Sequence, residues 1–342
     1  MRPHFIPPAR LQRRAAQSCA LVVILAGAGV AWPTKVGVRG TYESAFAREV
    51  EDTSRTPVVG PGAAGPPVVR AQILLDRARF SPGEIDGVYG DYLAVAIRAY
   101  CEAHGLDASG AIDANMWAML LADTRPLLST YSITARDLKG PFQPIPKDVR
   151  LRAEMKWMPY ESPADELGER FHLSPKLLAE LNPHKSLKTI GERITVPEVT
   201  RGPARRAVRV VISATKRTVE PYGVGDRALA VYPASIGGPH DPLPIGRWTI
   251  TTVQWYPVFY WDPIHFWNVD PSKAPEKLAP GPRNPAGVVW MGLSKKHYGI
   301  HGSPDPGHVR HDDSYGCIRL TNWDAADLGR MVRAGIPVIM EE

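Results

Sequence analysis

One segment near the C-terminus reads Tyr298-Gly299-Ile300-His301-Gly302-Ser303, and a second segment shortly after it reads Ser314-Tyr315-Gly316-Cys317-Ile318-Arg319-Leu320. Together they place one imidazole and one thiol among small residues. Glycine adopts backbone angles that residues with a Cβ resist, so Gly316 lets the chain turn sharply and present the Cys317 thiol beside backbone N–H groups. A thiol becomes a strong nucleophile when a base removes its proton, and His301 is the natural candidate for that base.

These residues resemble the signature of the L,D-transpeptidase (YkuD) family. In that signature a His and a spacer are followed by Ser/Thr-His-Gly-Cys, an apolar residue and Arg or Asn. Here His301 is the first His, and the second half reads Ser314-Tyr315-Gly316-Cys317-Ile318-Arg319. Two further segments, Pro244-Ile245-Gly246-Arg247-Trp248 and Asn284-Pro285-Ala286-Gly287, also resemble landmarks of the family. The resemblance therefore extends over the whole C-terminal domain.

The resemblance implies a peptidoglycan L,D-transpeptidase that cross-links or exchanges stem peptides in cell wall assembly and remodelling. Cys317 would be the nucleophile that forms a thioester, and His301 would be the proton donor and acceptor. In the family a backbone carbonyl beside the first His orients its ring, and this carbonyl corresponds to that of Gly302. The residues expected to hold the oxyanion or position the substrate are Gly302, Ser303, Ser314, Tyr315, Gly316 and Arg319. No metal and no cofactor is expected.

Tyr315 departs from the signature, because it stands where the family usually has its second His. A neutral phenol, with a pKa of about 10, cannot replace an imidazole in proton transfer at neutral pH, although it can donate a hydrogen bond. Two classes of function therefore stay open: a cysteine transpeptidase, and a wall-binding scaffold with a weak or inactive site. The acceptor also stays open, since a D-amino acid, a protein side chain or water could replace the second stem peptide. The last two would make the protein a protein-to-wall ligase or an L,D-carboxypeptidase.

The C-terminal domain, residues 205–342, is predicted to be mainly β because short apolar runs alternate with Gly and Pro turns. The predicted strands cover 208–212, 229–237, 246–251, 288–293 and 336–340, and one helix is predicted near 322–334. A long connection, 254–285, is rich in aromatic residues. A connection of this length is usually functional or disordered, and its aromatics argue against disorder. It is predicted to be either a flap over the active cleft or a satellite core beneath the loop.

Two modules are predicted before this domain. Residues 68–125 show three helical patterns, and their turn Gly83-Glu84-Ile85-Asp86-Gly87-Val88-Tyr89-Gly90 resembles that of the peptidoglycan-binding domain of cell-wall hydrolases. Residues 131–200 show two short helices, opened by Ser162-Pro163 and Ser174-Pro175, and a closing strand. This order resembles the LysM fold, a βααβ unit that binds N-acetylglucosamine polymers. For both modules a purely structural spacer remains the alternative. The predicted fold class is multidomain α+β: a small three-helix module, a LysM-like βααβ module and a mainly β YkuD-type catalytic domain.

The N-terminal region, residues 1–47, reads as an export signal or anchor. Four arginines precede an apolar run that is short for a membrane span of about twenty residues. Basic residues favour the cytoplasmic side, so the end of the chain that carries them would stay in the cytoplasm. The rest of the chain is therefore expected outside the cytoplasm, in the periplasm or cell envelope. Residues 48–67 are rich in Gly and Pro and are predicted to be a flexible linker.

The composition is that of a globular chain with room for two or three domains, with 342 residues, 44% hydrophobic and 22% charged. The net charge of +6 suits an anionic partner, but much of the arginine lies in the leader. The expected partners are peptidoglycan stem peptides and glycan strands, with no nucleic acid and no membrane contact beyond an uncleaved anchor. No structural disulfide is expected from three cysteines. A polar loop carries His308, His311, Asp312 and Asp313, and solvation explains this cluster better than a metal does.

Overall fold

The computed structural model describes residues 44–309 and 314–342. Most of the predicted leader, including Cys19, lies outside these residues, as do His311, Asp312 and Asp313 of the predicted solvated loop. No helix within the two described ranges is long and apolar enough to cross a membrane.

The N-terminal part is helical: α1 (Ala45–Glu51) lies where the leader and linker were predicted, and α2 (Pro66–Arg77), α3 (Asp91–His104) and α4 (Ala114–Leu120) follow it. Helices α2, α3 and α4 correspond to the three predicted patterns. Asp113 caps α4 as expected, because its side chain accepts a hydrogen bond from the Met116 N–H. Trp117 and Ile97 lie at the centre of the core that these helices share.

The predicted linker, residues 48–67, is not a free tether in the structure. It begins inside α1 and ends inside α2. Between them Val59 is buried and exchanges two backbone hydrogen bonds with Ile112. The Arg70 guanidinium also donates to the carbonyls of Glu49 and Val50. The flexible linker predicted from the Gly- and Pro-rich composition is therefore wrong, because Val59 and Arg70 hold this segment to the helices.

The second module contains one small antiparallel sheet and three helices: β1 (Leu128–Ser132), α5 (Val149–Ala153), α6 (Pro163–Arg170), α7 (Pro175–Leu181) and β2 (Arg193–Pro197). The two Ser-Pro helix starts are confirmed. Ser162 accepts a hydrogen bond from the Asp165 N–H, Ser174 accepts one from Leu177, and a proline follows each cap. A LysM identity for this module stays a prediction.

The C-terminal domain is built on an eight-stranded sheet, as the mainly β prediction requires. The strands are β3 (Arg209–Ser213), β4 (Thr218–Tyr222), β5 (Tyr232–Pro233), β6 (Gly246–Trp255), β9 (Val289–Leu293), β10 (Gly299–His301), β11 (Ile318–Arg319) and β12 (Pro337–Glu341). Their spatial order is β11-β10-β9-β6-β12-β3-β4-β5. The sequence patterns missed β4, β10 and β11. Helix α8 (Asn322–Met331), capped by Thr321, packs against β9 and β10.

The aromatic connection 254–285 is an ordered hairpin. Strands β7 (Phe259–Trp261) and β8 (Glu276–Leu278) pair with each other, and a short 3-10 helix (Pro263–His265) lies between them. We call residues 259–278 the aromatic hairpin.

The modules meet at a buried group of charges. Arg201, which follows the second module, contacts Asp76 of α2 at 2.6 Å and Asp324 and Asp327 of α8 at 2.9 and 3.2 Å. Burial acts to raise the pKa of Asp76, but Arg201 and His172 hold that pKa at about 2. We call Arg201 and its three aspartates the Arg201 cluster. All the described residues belong to one compact unit.

Candidate active site

Parallel pairing of β10 with β11 brings the two signature segments side by side. Ile300 pairs with Ile318, and both side chains are fully buried in the core. Successive side chains of a strand point to opposite faces, so the flanking residues His301, Cys317 and Arg319 share the other face of the sheet. The sequence motif predicts that His301 and Cys317 lie close together, and the register of β10 and β11 gives the structural reason.

A single hydrogen bond fixes the orientation of His301. Its Nδ1 lies 2.7 Å from the Gly302 carbonyl oxygen. Because a carbonyl oxygen only accepts, Nδ1 carries the hydrogen of the neutral ring, and Nε2 is left as the nitrogen that can take a proton. Burial lowers the pKa of His301 to about 4, and the Arg319 charge acts in the same direction. The imidazole is therefore neutral at pH 7.

Trp290 forms a wall beside this imidazole. The two residues are partners across β9 and β10, and their rings stack with centroids 5.3 Å apart. The indole also covers Gly299, where an added Cβ would lie 2.4 Å from the ring. Sequence reasoning assigned Trp290 only to a strand. The signal was present in Gly299, since a glycine inside a strand often marks a close approach by a neighbouring group.

The Cys317 thiol is held as a neutral group. The sulfur lies 3.6 Å from the His297 carbonyl oxygen, which the S–H faces. Burial raises the pKa of Cys317 to about 11, although the Gly299 N–H and the Arg319 charge both favour the thiolate. Neutral imidazole and neutral thiol therefore coexist at pH 7.

The turn that presents Cys317 depends on Gly316 and Ser314. Gly316 has a φ of 96°, a left-handed conformation that glycine adopts readily. The buried Ser314 hydroxyl donates to the Cys317 carbonyl, and the Ser314 N–H donates to the Ile236 carbonyl. Ser314 thus shapes the backbone of the turn.

Ser303 has a similar backbone role in the other segment. Its hydroxyl donates to the Asp305 carbonyl at 3.1 Å and accepts from the Asp305 N–H at 3.2 Å. The side chain is buried, with 4% of its surface exposed. The structure therefore gives Ser303 contacts that bend the loop after His301.

Tyr315 contacts the aromatic hairpin. Its hydroxyl donates to the Asn268 side-chain oxygen at 2.8 Å. Its ring contacts Phe266 edge-on at 4.8 Å between centroids and lies 5.8 Å from the Trp267 ring. The residue that departs from the signature is thus a contact between the cysteine turn and the hairpin.

Nothing in the described ranges forms a group of three or more His, Cys, Asp or Glu suited to a metal ion. His308 contacts Asp305 at 2.7 Å, and both side chains are exposed. Cys101 and Cys317 are both free thiols.

Two family models match this chain. Residues 207–340 match "L,D-transpeptidase catalytic domain" (YkuD), and residues 64–120 match "Putative peptidoglycan binding domain". Among curated proteins, a "Putative L,D-transpeptidase YkuD" of Bacillus licheniformis is 28% identical over 176 residues, which is 51% of this chain and 90% of the relative. Its Bacillus subtilis counterpart is 27% identical over 175 residues, with the same coverage of 51% and 90%.

Among solved structures, two L,D-transpeptidases show similarity to this chain. L,D-transpeptidase 3 of Mycobacterium tuberculosis, in complex with a faropenem-derived adduct, has a TM-score of 0.32 at 19% identity, over 45% of this chain and 75% of that one. An L,D-transpeptidase of Xylanimonas cellulosilytica has a TM-score of 0.36 at 15% identity, over 84% of this chain and 97% of that one. The family matches to both regions lead to one conclusion: this chain is an enzyme that carries the catalytic domain of the L,D-transpeptidase (YkuD) family together with an N-terminal peptidoglycan-binding domain.

Proposed function

We propose that the enzyme is an exported peptidoglycan L,D-transpeptidase in which Cys317 is the nucleophile and His301 the general base and acid. The observation that carries this proposal is the bond from His301 Nδ1 to the Gly302 carbonyl. It leaves Nε2 as the proton acceptor on the face of the sheet that also holds Cys317. The substrate, peptidoglycan, lies outside the cytoplasm, and the basic and apolar leader predicts export to that location.

The first half-reaction transfers an acyl group to sulfur. As the S–H proton moves to His301 Nε2, the sulfur attacks the carbonyl carbon between the L-centre and the terminal D-alanine of a tetrapeptide stem. A tetrahedral oxyanion forms, and it collapses when the C–N bond breaks. His301 returns the proton to the departing D-alanine amine, and a thioester to Cys317 remains.

The second half-reaction consumes the thioester. The amine of another stem attacks the same carbonyl carbon, and His301 takes the proton of that amine. When the C–S bond breaks, the proton returns to sulfur and a new amide joins the two stems. A D-amino acid as acceptor gives exchange of the terminal residue, and water gives a carboxypeptidase.

Arg319 and the backbone of the cysteine turn would stabilise the charges of these steps. Burial raises the pKa of Cys317 and lowers that of His301, and the Arg319 charge acts toward a lower pKa in both groups. Arg319 therefore favours the thiolate and the return of the proton from the imidazolium. The N–H groups of Tyr315, Gly316 and Cys317 would receive the oxyanion, and each such donor contributes about 3 kcal/mol in well-studied hydrolases. Ser303, Ser314 and Gly302 would act by holding the backbone of the two segments.

The test is a product assay with purified disaccharide-tetrapeptides, read by mass spectrometry. We expect a dimer whose mass is that of two substrate molecules minus one D-alanine. We also expect a thioester adduct on the tryptic peptide that contains Cys317. Loss of D-alanine without a dimer would identify a carboxypeptidase. Absence of adduct and turnover, with intact binding to wall sacculi, would contradict the transpeptidase and favour the scaffold.

Replacement of Tyr315 distinguishes a role in proton transfer from a role in hairpin contact. Because the phenol faces Asn268, Tyr315→Phe removes one exposed hydrogen bond, so kcat should change by no more than about fivefold. Tyr315→Ala also removes the contacts with Phe266 and Trp267, and it should mainly raise KM. Tyr260→Phe, at an exposed position of the same hairpin, is the control. If Tyr315→Phe lowered kcat by orders of magnitude, the phenol would have to take part in the chemistry.

A further inference from the structure

Asn322, the first residue of α8, lies directly beneath the loop that orients His301. It is 2% exposed, and its Oδ1 accepts a hydrogen bond from the Val288 N–H at 3.0 Å. The same oxygen packs against Gly302, where an added Cβ would lie only 2.1 Å from it. The Gly302 carbonyl is the group that holds the His301 ring. The position of the Asn322 amide therefore limits where that carbonyl can be.

The other end of the amide is held by a residue outside the catalytic domain. Asn322 Nδ2 lies 3.1 Å from both carboxylate oxygens of Glu169 and 3.1 Å from the Pro282 carbonyl. Glu169 belongs to α6 of the second module and is 7% exposed. Acceptors surround Nδ2 and a donor faces Oδ1, so the amide has a single orientation that satisfies both ends.

Glu169 is itself fixed by two side chains. The Tyr160 hydroxyl donates to Oε1 at 2.7 Å, and Arg283 Nη1 lies 3.6 Å from Oε2. Burial raises the pKa of Glu169 to about 7, because removal from water disfavours the ionised carboxylate. The hydrogen bonds from Tyr160 and Asn322 stabilise the ionised form and offset part of this desolvation cost. The Glu169 carboxylate therefore needs hydrogen-bond donors around it, and Asn322, which packs beneath Gly302, is one of them.

Helix α6 reaches the same loop by a second route. Arg283 contacts Asp165, one turn before Glu169, and also donates to the Pro304 carbonyl, two residues after Gly302. Asn322 and Arg283 thus support the two ends of the segment 302–304. Both are anchored on acidic side chains of α6.

We propose that Glu169 is a positioning residue for the transpeptidase reaction: through Asn322 it holds the Gly302 carbonyl that orients His301. The inference rests on the proposed function of His301. It makes the second module a part of the catalytic apparatus, whereas the family match begins only at residue 207. Residues that hold the ligands of a metal site typically change affinity or activity by about 10- to 100-fold when removed, and we expect an effect of similar size for a residue that holds the orientation of His301.

The test compares variants of the full chain by kinetics and by NMR of the His301 side chain. Glu169→Ala should lower kcat about tenfold with KM within about twofold, because substrate contacts are unchanged while the base is misaligned. The Nδ1–H resonance of His301, which the Gly302 bond protects from exchange, should shift or broaden. Asn322→Ala should have the same effects, and the double variant should be no worse than either single variant, since the residues act in series.

The control is Glu166→Gln, on the same helix, whose carboxylate contacts Arg170 instead of Asn322. It should leave kcat and the His301 resonance unchanged. If Glu169→Ala does not fold, Glu169→Asp keeps the charge but withdraws it by one methylene, and an intermediate loss is expected. Unchanged kcat in a folded Glu169 variant, or a loss of kcat with an unchanged His301 resonance, would overturn the proposal. A shifted resonance in a protein without transpeptidase activity would instead reject the proposed function and retain the positioning.

Discussion

Cys317→Ala should abolish both the thioester adduct and the cross-linked dimer, with a loss of turnover of at least about 1,000-fold. Alanine offers no atom that can accept the acyl group, while the fold around it loses only the weak contacts of the thiol with the His297 carbonyl and the Gly299 N–H. Cys317→Ser should be almost as inactive, since a hydroxyl is harder still to deprotonate than this half-buried thiol. The measurement is the mass spectrum of protein and products after incubation with disaccharide-tetrapeptides.

Cys101→Ala is the matched control for this experiment. Cys101 is buried in the helical module beside Met116, so its removal should affect stability slightly and turnover not at all. If Cys317→Ala still formed dimer, the nucleophile would have to be another residue. If the adduct moved to Cys101, the assay would be reporting non-specific acylation.

The pH dependence of Cys317 reactivity provides a second test of the proposal. Alkylation by iodoacetamide needs the thiolate, and the pKa of Cys317 is raised to about 11, so alkylation should accelerate about tenfold per pH unit from pH 7 to 10. Thioester formation instead needs a neutral His301, whose pKa is lowered to about 4, and a thiol that it can deprotonate. The rate of this first half-reaction should stay nearly level across neutral pH. An alkylation rate already constant at pH 7 would reveal a resting thiolate and contradict this scheme.

Gly302→Ala should lower kcat about 100-fold, or about 2.7 kcal/mol in the activation barrier. The new methyl would lie 2.1 Å from Asn322 Oδ1 and 3.3 Å from the Gly287 Cα, so the loop must move. Movement of Gly302 carries with it the carbonyl that fixes the His301 tautomer. Overpacking of this kind also costs about 1–3 kcal/mol of stability. Steady-state kinetics, thermal unfolding and the His301 Nδ1–H resonance measure the three effects.

Gly202→Ala provides the comparison, because no heavy atom lies within 4 Å of a Cβ added there. It should leave activity and unfolding temperature near those of the wild type. Full activity in a folded Gly302→Ala variant would mean that the loop tolerates displacement, and that the Gly302 carbonyl is not needed to orient the base.

The sequence could predict the parts of this molecule that depend on neighbours along the chain. Helix caps at Ser162, Ser174 and Asp113 are local patterns, and the structure confirms them. The His301–Gly302 contact was also accessible, because the ring and the carbonyl are adjacent and the family resemblance gave the carbonyl its role.

The support around the base depends on contacts that no local pattern encodes. Glu169 and Asn322 are 153 positions apart, and each alone resembles an ordinary helix residue. Trp290 joins the site only through strand pairing, because the register sets its indole over Gly299 and against His301. The aromatic hairpin is a similar case, since its contact with Tyr315 links positions far apart in the sequence.

The Arg201 cluster has a consequence for where the catalytic domain physically begins. The family match starts at residue 207, six positions after the arginine that neutralises Asp324 and Asp327. A fragment cut at that boundary would keep both carboxylates of α8 but lose Arg201, together with Arg79 and Ser81, whose side chains contact the same aspartates from the first module. It would also lose the protein surface that now covers these carboxylates. A fragment that begins at residue 207 is therefore expected to be less stable than the full chain, and a transplanted enzyme should include the two preceding modules.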